Sequence, residues 1–501
     1  MIAGAACAAT ASLSASLTAP AHAQSAQERL NTRYDRALAA GYKALFLCSA
    51  IANAEANGVT RTPESVHAWE LTGIQQPLDK MVRDMPYTIA RRPTGQIAHV
   101  QVKWAEDAPD RVAGYYGSKT GCSILPIGAP DNVTAPDTPI ALPEGEGGRL
   151  APAPATMSYY VQRDKPVDER NLGKIGLSDT LGSAFKDTYG TGRTTAVLVR
   201  SLDEDFSRKG QVAAYAPGFS PKTSQRTWSV AKSIASTLVG MAVHSREYAV
   251  SDPIGLNYWT TGGAMEARNR ITIDHALRMA TGRYSDTAGN RTDPIYWGGG
   301  TINEYMTQWP VVYAPGTVYR YANNDTLLAV KAVERYLKYY SPFELLAKLE
   351  MDDTVVETDW QGGLVLSSQV WSTAPDLANL GELYLRDGKW NGEQLIPENW
   401  SEYVSDPSGP QPEGTNWGYG AGWWTFRRPD GNAFEGVPDD AFAARGNRGQ
   451  YVVVVPSRNV VIVRRGEDMV GTRFDIAAFT KDVLSALEEA PLVLDGSAEI
   501  F

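Results

Sequence analysis

Strand signals stand at both ends of a long helical stretch, and that arrangement limits the fold more than any other feature of the sequence. Thr195-Ala-Val-Leu-Val-Arg200 and Gly210-Gln-Val-Ala-Ala-Tyr215 read as the two arms of a hairpin. Tyr451-Val-Val-Val-Val455 and Val460-Val-Ile-Val463, on either side of Pro456-Ser-Arg-Asn459, read as another. Residues 229–390 between them are mostly helical in pattern. After the second hairpin, Thr472 is placed to cap an amphipathic helix with Phe474, Ala478, Val483 and Leu487 on one face. The expectation is an α+β domain whose antiparallel sheet is completed by the chain's two ends, flanked by helices, with a helical subdomain between.

The rest of the chain divides by composition. Residues 1–23 carry no charge and end Ala21-His22-Ala23, a small-x-small site of the signal-peptidase type, so the mature chain is expected from Gln24 and outside the cytoplasm, periplasmic or secreted. Residues 24–125 form an N-terminal accessory block, with a helical pattern over 27–57 and a strand-like run Ile97–Trp104. Residues 126–157 are rich in proline and glycine and read as a linker. One long domain follows over 158–490, and 491–501 form a tail. The balance of 47 basic against 57 acidic residues, −10 in all, excludes a general nucleic-acid binder. No uninterrupted apolar run has the ~18 residues of a membrane-spanning helix.

Two cysteines remain beyond the signal, Cys48 and Cys122. In an oxidising compartment they are expected to pair, two buried thiols being the alternative. The sequence contains no Cys-x-x-Cys, and none of His67, His99, His244 and His275 is paired at ligand spacing, so neither a metal nor a cofactor is expected. Gly145-Glu-Gly-Gly148 is no phosphate loop, because no Gly-Lys-Ser/Thr follows it.

The chemistry concentrates at Trp228-Ser229-Val230-Ala231-Lys232. Val230, Ile234, Leu238 and Met241 follow helical spacing toward a core, while Ser229, Lys232, Ser236 and Gly240 share the opposite stripe. A serine and a lysine three apart on a helix are neighbours. At a helix N-terminus the serine sits where free N–H groups favour developing negative charge, and a desolvated lysine can act as its base. Ser-x-x-Lys alone is common by chance. About ninety residues on comes Tyr321-Ala-Asn323, where the two side chains alternate on an extended stretch and can point into one cleft. A tyrosine whose phenol is made more acidic by the ammonium can shuttle protons, and the asparagine amide can bond both the lysine and a substrate carbonyl. A capped turn with a packed Tyr is the alternative for that motif by itself.

Together, Ser-x-x-Lys, Tyr-Ala-Asn and a later glycine-rich turn into a strand resemble the serine β-lactamases and penicillin-binding enzymes. The likeness is to the class C-type branch, with its D-alanyl-D-alanine carboxypeptidases, β-lactamase-fold esterases and 6-aminohexanoate-dimer hydrolases. It spans roughly 185–490 and includes Ser372-Thr-Ala-Pro-Asp376 and Gly420-Ala-Gly-Trp-Trp424. The resemblance implies a β-lactamase/transpeptidase-like fold and an acyl-enzyme on Ser229, with Lys232 as base, Tyr321 as proton shuttle and Asn323 as a substrate contact. The third element departs from the usual Lys-Thr-Gly or His-x-Gly. It matches Ala444-Arg445-Gly446-Asn447-Arg448-Gly449-Gln450, as in the 6-aminohexanoate hydrolases. Gly446 then lets the backbone approach the substrate, and the N–H of Asn447 joins that of Ser229 as oxyanion hole.

Ala444 takes the place of the cation, which speaks against β-lactams unless Arg445 or Arg448 supplies one. Ser118-Lys119-Thr120-Gly121 holds a literal Lys-Thr-Gly but precedes Ser229 and reads as a turn. Trp228, Trp417, Trp423 and Trp424 are candidates for an apolar acyl groove, with core packing expected for at least two. The expected function is a secreted serine hydrolase acting on a small-molecule amide or ester. The alternatives are a D-alanyl-D-alanine carboxypeptidase or β-lactamase, a non-catalytic penicillin-binding-like sensor, and a cell-wall binding module carried by the first block.

Overall fold

The valine runs at 451–455 and 460–463 lack the alternation of a half-solvated strand because both faces of their sheet are covered. A computed structural model of the chain describes residues 19–129, 158–161, 177–284 and 292–489, other than 261, 308 and 433. The expected signal segment, linker and C-terminal tail lie wholly or mostly outside these residues, as does Gly145–Gly148.

An N-terminal sheet is formed by β1 (Tyr87–Arg91), β2 (Ile97–Val102), β3 (Arg111–Tyr115) and β4 (Cys122–Ile124), paired in that order. The main sheet contains β5 (Ser158–Val161), β6 (Thr194–Leu202), β7 (Arg208–Tyr215), β8 (Gly418–Tyr419), β9 (Trp424–Thr425), β10 (Phe442–Gly446), β11 (Gln450–Val455) and β12 (Val460–Gly466). Its spatial order is β8-β9-β10-β11-β12-β6-β7-β5, every pair antiparallel. Both expected hairpins are present. They join at the β12–β6 seam, where Ile462 lies opposite Val199. The sheet is thus closed by the two ends of the domain.

Strand alternation divides the valines between two cores. Val452, Val454, Val461 and Val463 pack with Ile234 and Leu238 of α2 (Val230–His244) and with Leu377 and Leu380 of α4 (Ala374–Leu385). Between those helices in the chain lies α3 (Asn323–Ala332). Val453, Val455, Val460 and Ile462 face Phe479 and Val483 of α5 (Ile476–Glu489). Each such burial contributes roughly 1.5–3 kcal/mol. Gly381 lets α4 lie directly on the sheet, since a Cβ there would stand 2.6 Å from Val461 Cγ1. The cap of α5 differs from expectation. Asp475 accepts from the Ala477 and Ala478 N–H groups, whereas the Thr472 hydroxyl donates to the Met469 carbonyl.

The N-terminal block is built on α1 (Ala19–Ala56), which starts earlier than the expected 27–57. By length and composition this helix could cross a membrane, although Lys43 and Glu55 interrupt its apolar stretch, and its apolar window is entirely buried within the protein. Phe46, Leu47 and Ile51 belong to the same contiguous core as Trp228, Val230 and Trp371. Cys48 on α1 and Cys122 on β4 form a disulfide, with 6.2 Å between their Cα atoms. Ser118–Thr120 is a turn between β3 and β4, and Lys119 Nζ lies over the Phe343 ring.

Candidate active site

Ser229 is the N-cap residue of α2, with φ −72° and ψ −4°, and its side chain makes no capping hydrogen bond. The hydroxyl is therefore left for other partners. Trp228 before it has φ 51°, a left-handed conformation that a bulky residue holds only when its surroundings impose it. Here the Arg226 guanidinium lies 3.9 Å from the Trp228 ring centroid, and the Phe46 ring from α1 is 5.9 Å away.

One turn into α2, Lys232 is 1% exposed. Its Nζ stands 3.2 Å from Ser229 Oγ, 2.5 Å from Asn323 Oδ1 and 2.8 Å from the Ser367 carbonyl oxygen. Burial pushes its ammonium down from 10.5 to about 7. Near neutrality a large share of Lys232 is free amine, able to take the serine proton.

The Tyr321 ring lies 4.9 Å from Lys232 Nζ, and Tyr321 lines the same cavity as Ser229. The expectation of a more acidic phenol is reversed. Burial dominates and raises it to about 12, with the nearby Ser229 hydroxyl and the Arg445 charge pulling the other way. A lysine that is half neutral exerts little pull, so Tyr321 keeps its proton and can give one. Asn323 is the first residue of α3 rather than part of an extended stretch, yet it still reaches Lys232. The start of α3 is fixed by buried Asp325, which accepts from Thr281 Oγ1 at 2.8 Å and pairs with Arg283 at 3.2 Å.

The glycine-rich element is the turn Asn447-Arg448-Gly449 between β10 and β11, with Arg448 at φ 58°. A Cβ on Gly446 would collide with the Thr227 carbonyl and stand 3.2 Å from Ser229 N, so only glycine fits here. Ser229, Tyr321, Trp424, Arg445, Gly446 and Asn447 all line one cavity of about 490 Å³. A second cavity of about 700 Å³ adjoins it, sharing Arg445, Tyr451, Arg473 and Phe474.

Ala444 is fully buried in the core. The site nevertheless has a cation, because Arg445 lines the cavity with its guanidinium 4.1 Å from the Trp417 centroid and 4.7 Å from that of Trp424. Arg448 is committed elsewhere, pairing with Glu467 at 2.7 Å. Of the four tryptophans, Trp424 lines the Ser229 cavity and Trp417 the adjoining one, while Trp228 and Trp423 are packed in the core. Among the described residues no three His, Cys, Asp or Glu side chains gather as metal ligands. The sequence reading missed the Ser367 carbonyl, which any residue type supplies, and Arg473, whose segment carries no motif.

The beta-lactamase family model matches residues 206–478, and the chain belongs to that family of serine hydrolases. Among solved structures, it is similar to "Putative 6-aminohexanoate-dimer hydrolase from Bacillus anthracis" at 18% identity, over 66% of this chain and 85% of that one, with a TM-score of 0.48. It is similar to "Crystal structure of putative beta-lactamase from Bacteroides dorei DSM 17855" at 17% identity, over 62% and 97% of the two chains, with a TM-score of 0.47. A D-alanine carboxypeptidase AmpC from Burkholderia cenocepacia is 16% identical over 64% of this chain and all of that one, with a TM-score of 0.43. No curated protein matches the sequence.

Proposed function

We propose that the protein is an exported serine hydrolase that cleaves an amide or ester of a linear acyl substrate through an acyl-enzyme on Ser229. The observation that carries this reading is the Lys232 amine, buried, held near a pKa of 7 and 3.2 Å from Ser229 Oγ. Lys232 takes the Ser229 proton as the oxygen attacks the substrate carbonyl, while Asn323 and the Ser367 carbonyl hold the amine in place. The N–H groups of Ser229 and Asn447 receive the oxyanion. Tyr321, still protonated, gives its proton to the departing amine or alkoxide and recovers one from the water that hydrolyses the acyl-enzyme, while Lys232 returns its proton to the released Ser229 oxygen. The buried Cys48–Cys122 disulfide supports placement in an oxidising compartment, periplasmic or extracellular.

A fluorophosphonate probe tests the assignment. It should label wild type at Ser229 and leave Ser229→Ala unlabelled, with turnover of p-nitrophenyl butyrate reduced by several orders of magnitude. An alanine variant that stays active overturns it. One observation favours a second reading, hydrolysis of carboxylate-bearing substrates such as β-lactams or D-alanyl peptides. Arg445 sits in the Ser229 cavity, and the described residues include no carboxylate paired with it. Nitrocefin turnover that falls selectively in Arg445→Met, relative to the neutral ester, favours that reading; no nitrocefin turnover by wild type removes it.

A further inference from the structure

The two backbone N–H groups assigned to the oxyanion hole belong to Ser229 and Asn447, and each is flanked by a non-glycine residue in the left-handed region. Trp228, before Ser229, has φ 51°, and Arg448, after Asn447, has φ 58°. Left-handed backbone is unfavourable for such residues and persists only where the surroundings over-determine it. At both positions the N-terminal block, which lies outside the 206–478 family match, supplies part of those surroundings.

On the first side, Phe46 of α1 packs its ring 5.9 Å from the Trp228 ring, and the Arg226 guanidinium lies over both, 4.9 Å from Phe46 and 3.9 Å from Trp228. On the second side, Arg448 Nη2 donates to the carbonyls of Trp69 and Thr72, each at 2.8 Å. Its Nε donates to Glu467 at 2.7 Å. The attachment extends to the cavity rim, where Val470 N donates to the Gly73 carbonyl at 2.9 Å and Met469 packs on Gly73 so closely that a Cβ there would clash. Arg448, Met469 and Val470 all line the Ser229 cavity.

We propose that the N-terminal block is a working part of the active site, which sets the spacing of the oxyanion hole by gripping Trp228 through Phe46 and Arg448 through the Trp69 and Thr72 carbonyls. Phe46 and Arg448 are positioning residues, since they act on the Ser229 and Asn447 N–H groups through their neighbours. The proposal rests on the reading of those two N–H groups given above. A donor shifted by a fraction of an ångström stabilises the tetrahedral intermediate less while leaving the ground-state complex almost untouched. Complete loss of one such donor costs about 10²–10³ in kcat, so displacement should cost about tenfold or more.

The test uses the full chain and three variants: Phe46→Leu, Arg448→Lys and the double change Arg448→Met with Glu467→Gln, which avoids stranding a buried carboxylate. For each, kcat and KM on p-nitrophenyl butyrate are measured beside the inhibition constant of phenylboronic acid, whose serine adduct places an oxygen in the oxyanion hole. The expected result is kcat down about tenfold or more, the boronate constant up by a similar factor and KM changed less than about threefold. Thermal melts identify the variants folded at the assay temperature. A purely structural role lowers the melting temperature without moving the boronate constant relative to KM. Folded variants with unchanged kcat and boronate affinity overturn the proposal while leaving the serine hydrolase reading intact. Failure of the fluorophosphonate to label wild-type Ser229 overturns both.

Discussion

Lys232 makes the pH dependence of this enzyme a direct check on the site. Its ammonium is held at about 7 because the side chain is taken out of water. The fraction available as free base is then about one half at pH 7, about a tenth at pH 6 and about a hundredth at pH 5. The kcat/KM of a neutral activated ester should rise about tenfold per unit below pH 6, bend near 7 and level off above about 8. No second bend should follow in the accessible range, since Tyr321 holds its proton to about 12. The same group sets a stability slope. The unfolded lysine keeps its proton up to 10.5 and the folded one releases it at about 7, so between those values the unfolded state binds more protons and stability rises with pH. From pH 7 to 9 the gain is about 2 kcal/mol. A pH-rate profile of p-nitrophenyl butyrate hydrolysis and urea unfolding at the two pH values give both quantities, and Lys232→Met should lose most turnover together with the lysine's share of the slope. A flat rate profile from pH 5 to 9, or one still climbing at pH 9, refutes a buried amine near neutrality.

Tyr321→Phe should reduce hydrolysis of an anilide by about 10²–10⁴ but that of a p-nitrophenyl ester far less, because only the amine leaving group needs a proton; equal losses would remove Tyr321 as the acid. Gly446→Ala should lower turnover sharply and destabilise by about 1–3 kcal/mol, since its methyl must push into the Thr227 carbonyl and toward Ser229 N; paired kinetics and urea unfolding read both. The Cys48–Cys122 disulfide should keep native protein from alkylation until reductant is added, and Cys48→Ala should cost about 2–5 kcal/mol in urea unfolding.

The sequence makes the β-lactamase-like core legible through the spacing of a few residues. The two hairpins announce themselves by valine runs and turn residues, and Ser229, Lys232, Tyr321 and Asn323 are brought together at α2 and α3 in the structure. What fails is what depends on distant neighbours. Thr472 stands four residues before Ile476, where α5 starts, too early to cap it, and Asp475 directly before the helix accepts from the Ala477 and Ala478 N–H groups instead. The Tyr321 phenol rises rather than falls because burial outweighs the nearby charge. The sequence offers Arg445 and Arg448 equally as a possible cation, and only the folded chain separates them, with Arg445 lining the cavity beside Trp424 and Arg448 paired with Glu467. The N-terminal block shows its helix and cysteines in the sequence, but nothing there reveals that Phe46 packs on Trp228.

The β12–β6 seam has a consequence for how the chain reaches this state. Arg464 on β12 donates to Thr194 on β6, and the two are 270 residues apart in sequence. During synthesis the β6–β7 hairpin emerges early, yet the strand that covers the β6 edge comes almost last. Until then β6 presents an unpaired ladder of backbone groups, a template for the wrong strand of its own chain or of a neighbour. Closing so long a loop is entropically slow, so the central sheet is a late event in folding. A nascent or C-terminally shortened chain would therefore carry an aggregation-prone edge at the middle of its future sheet, and its yield should depend on holding chaperones far more than the finished enzyme's stability suggests.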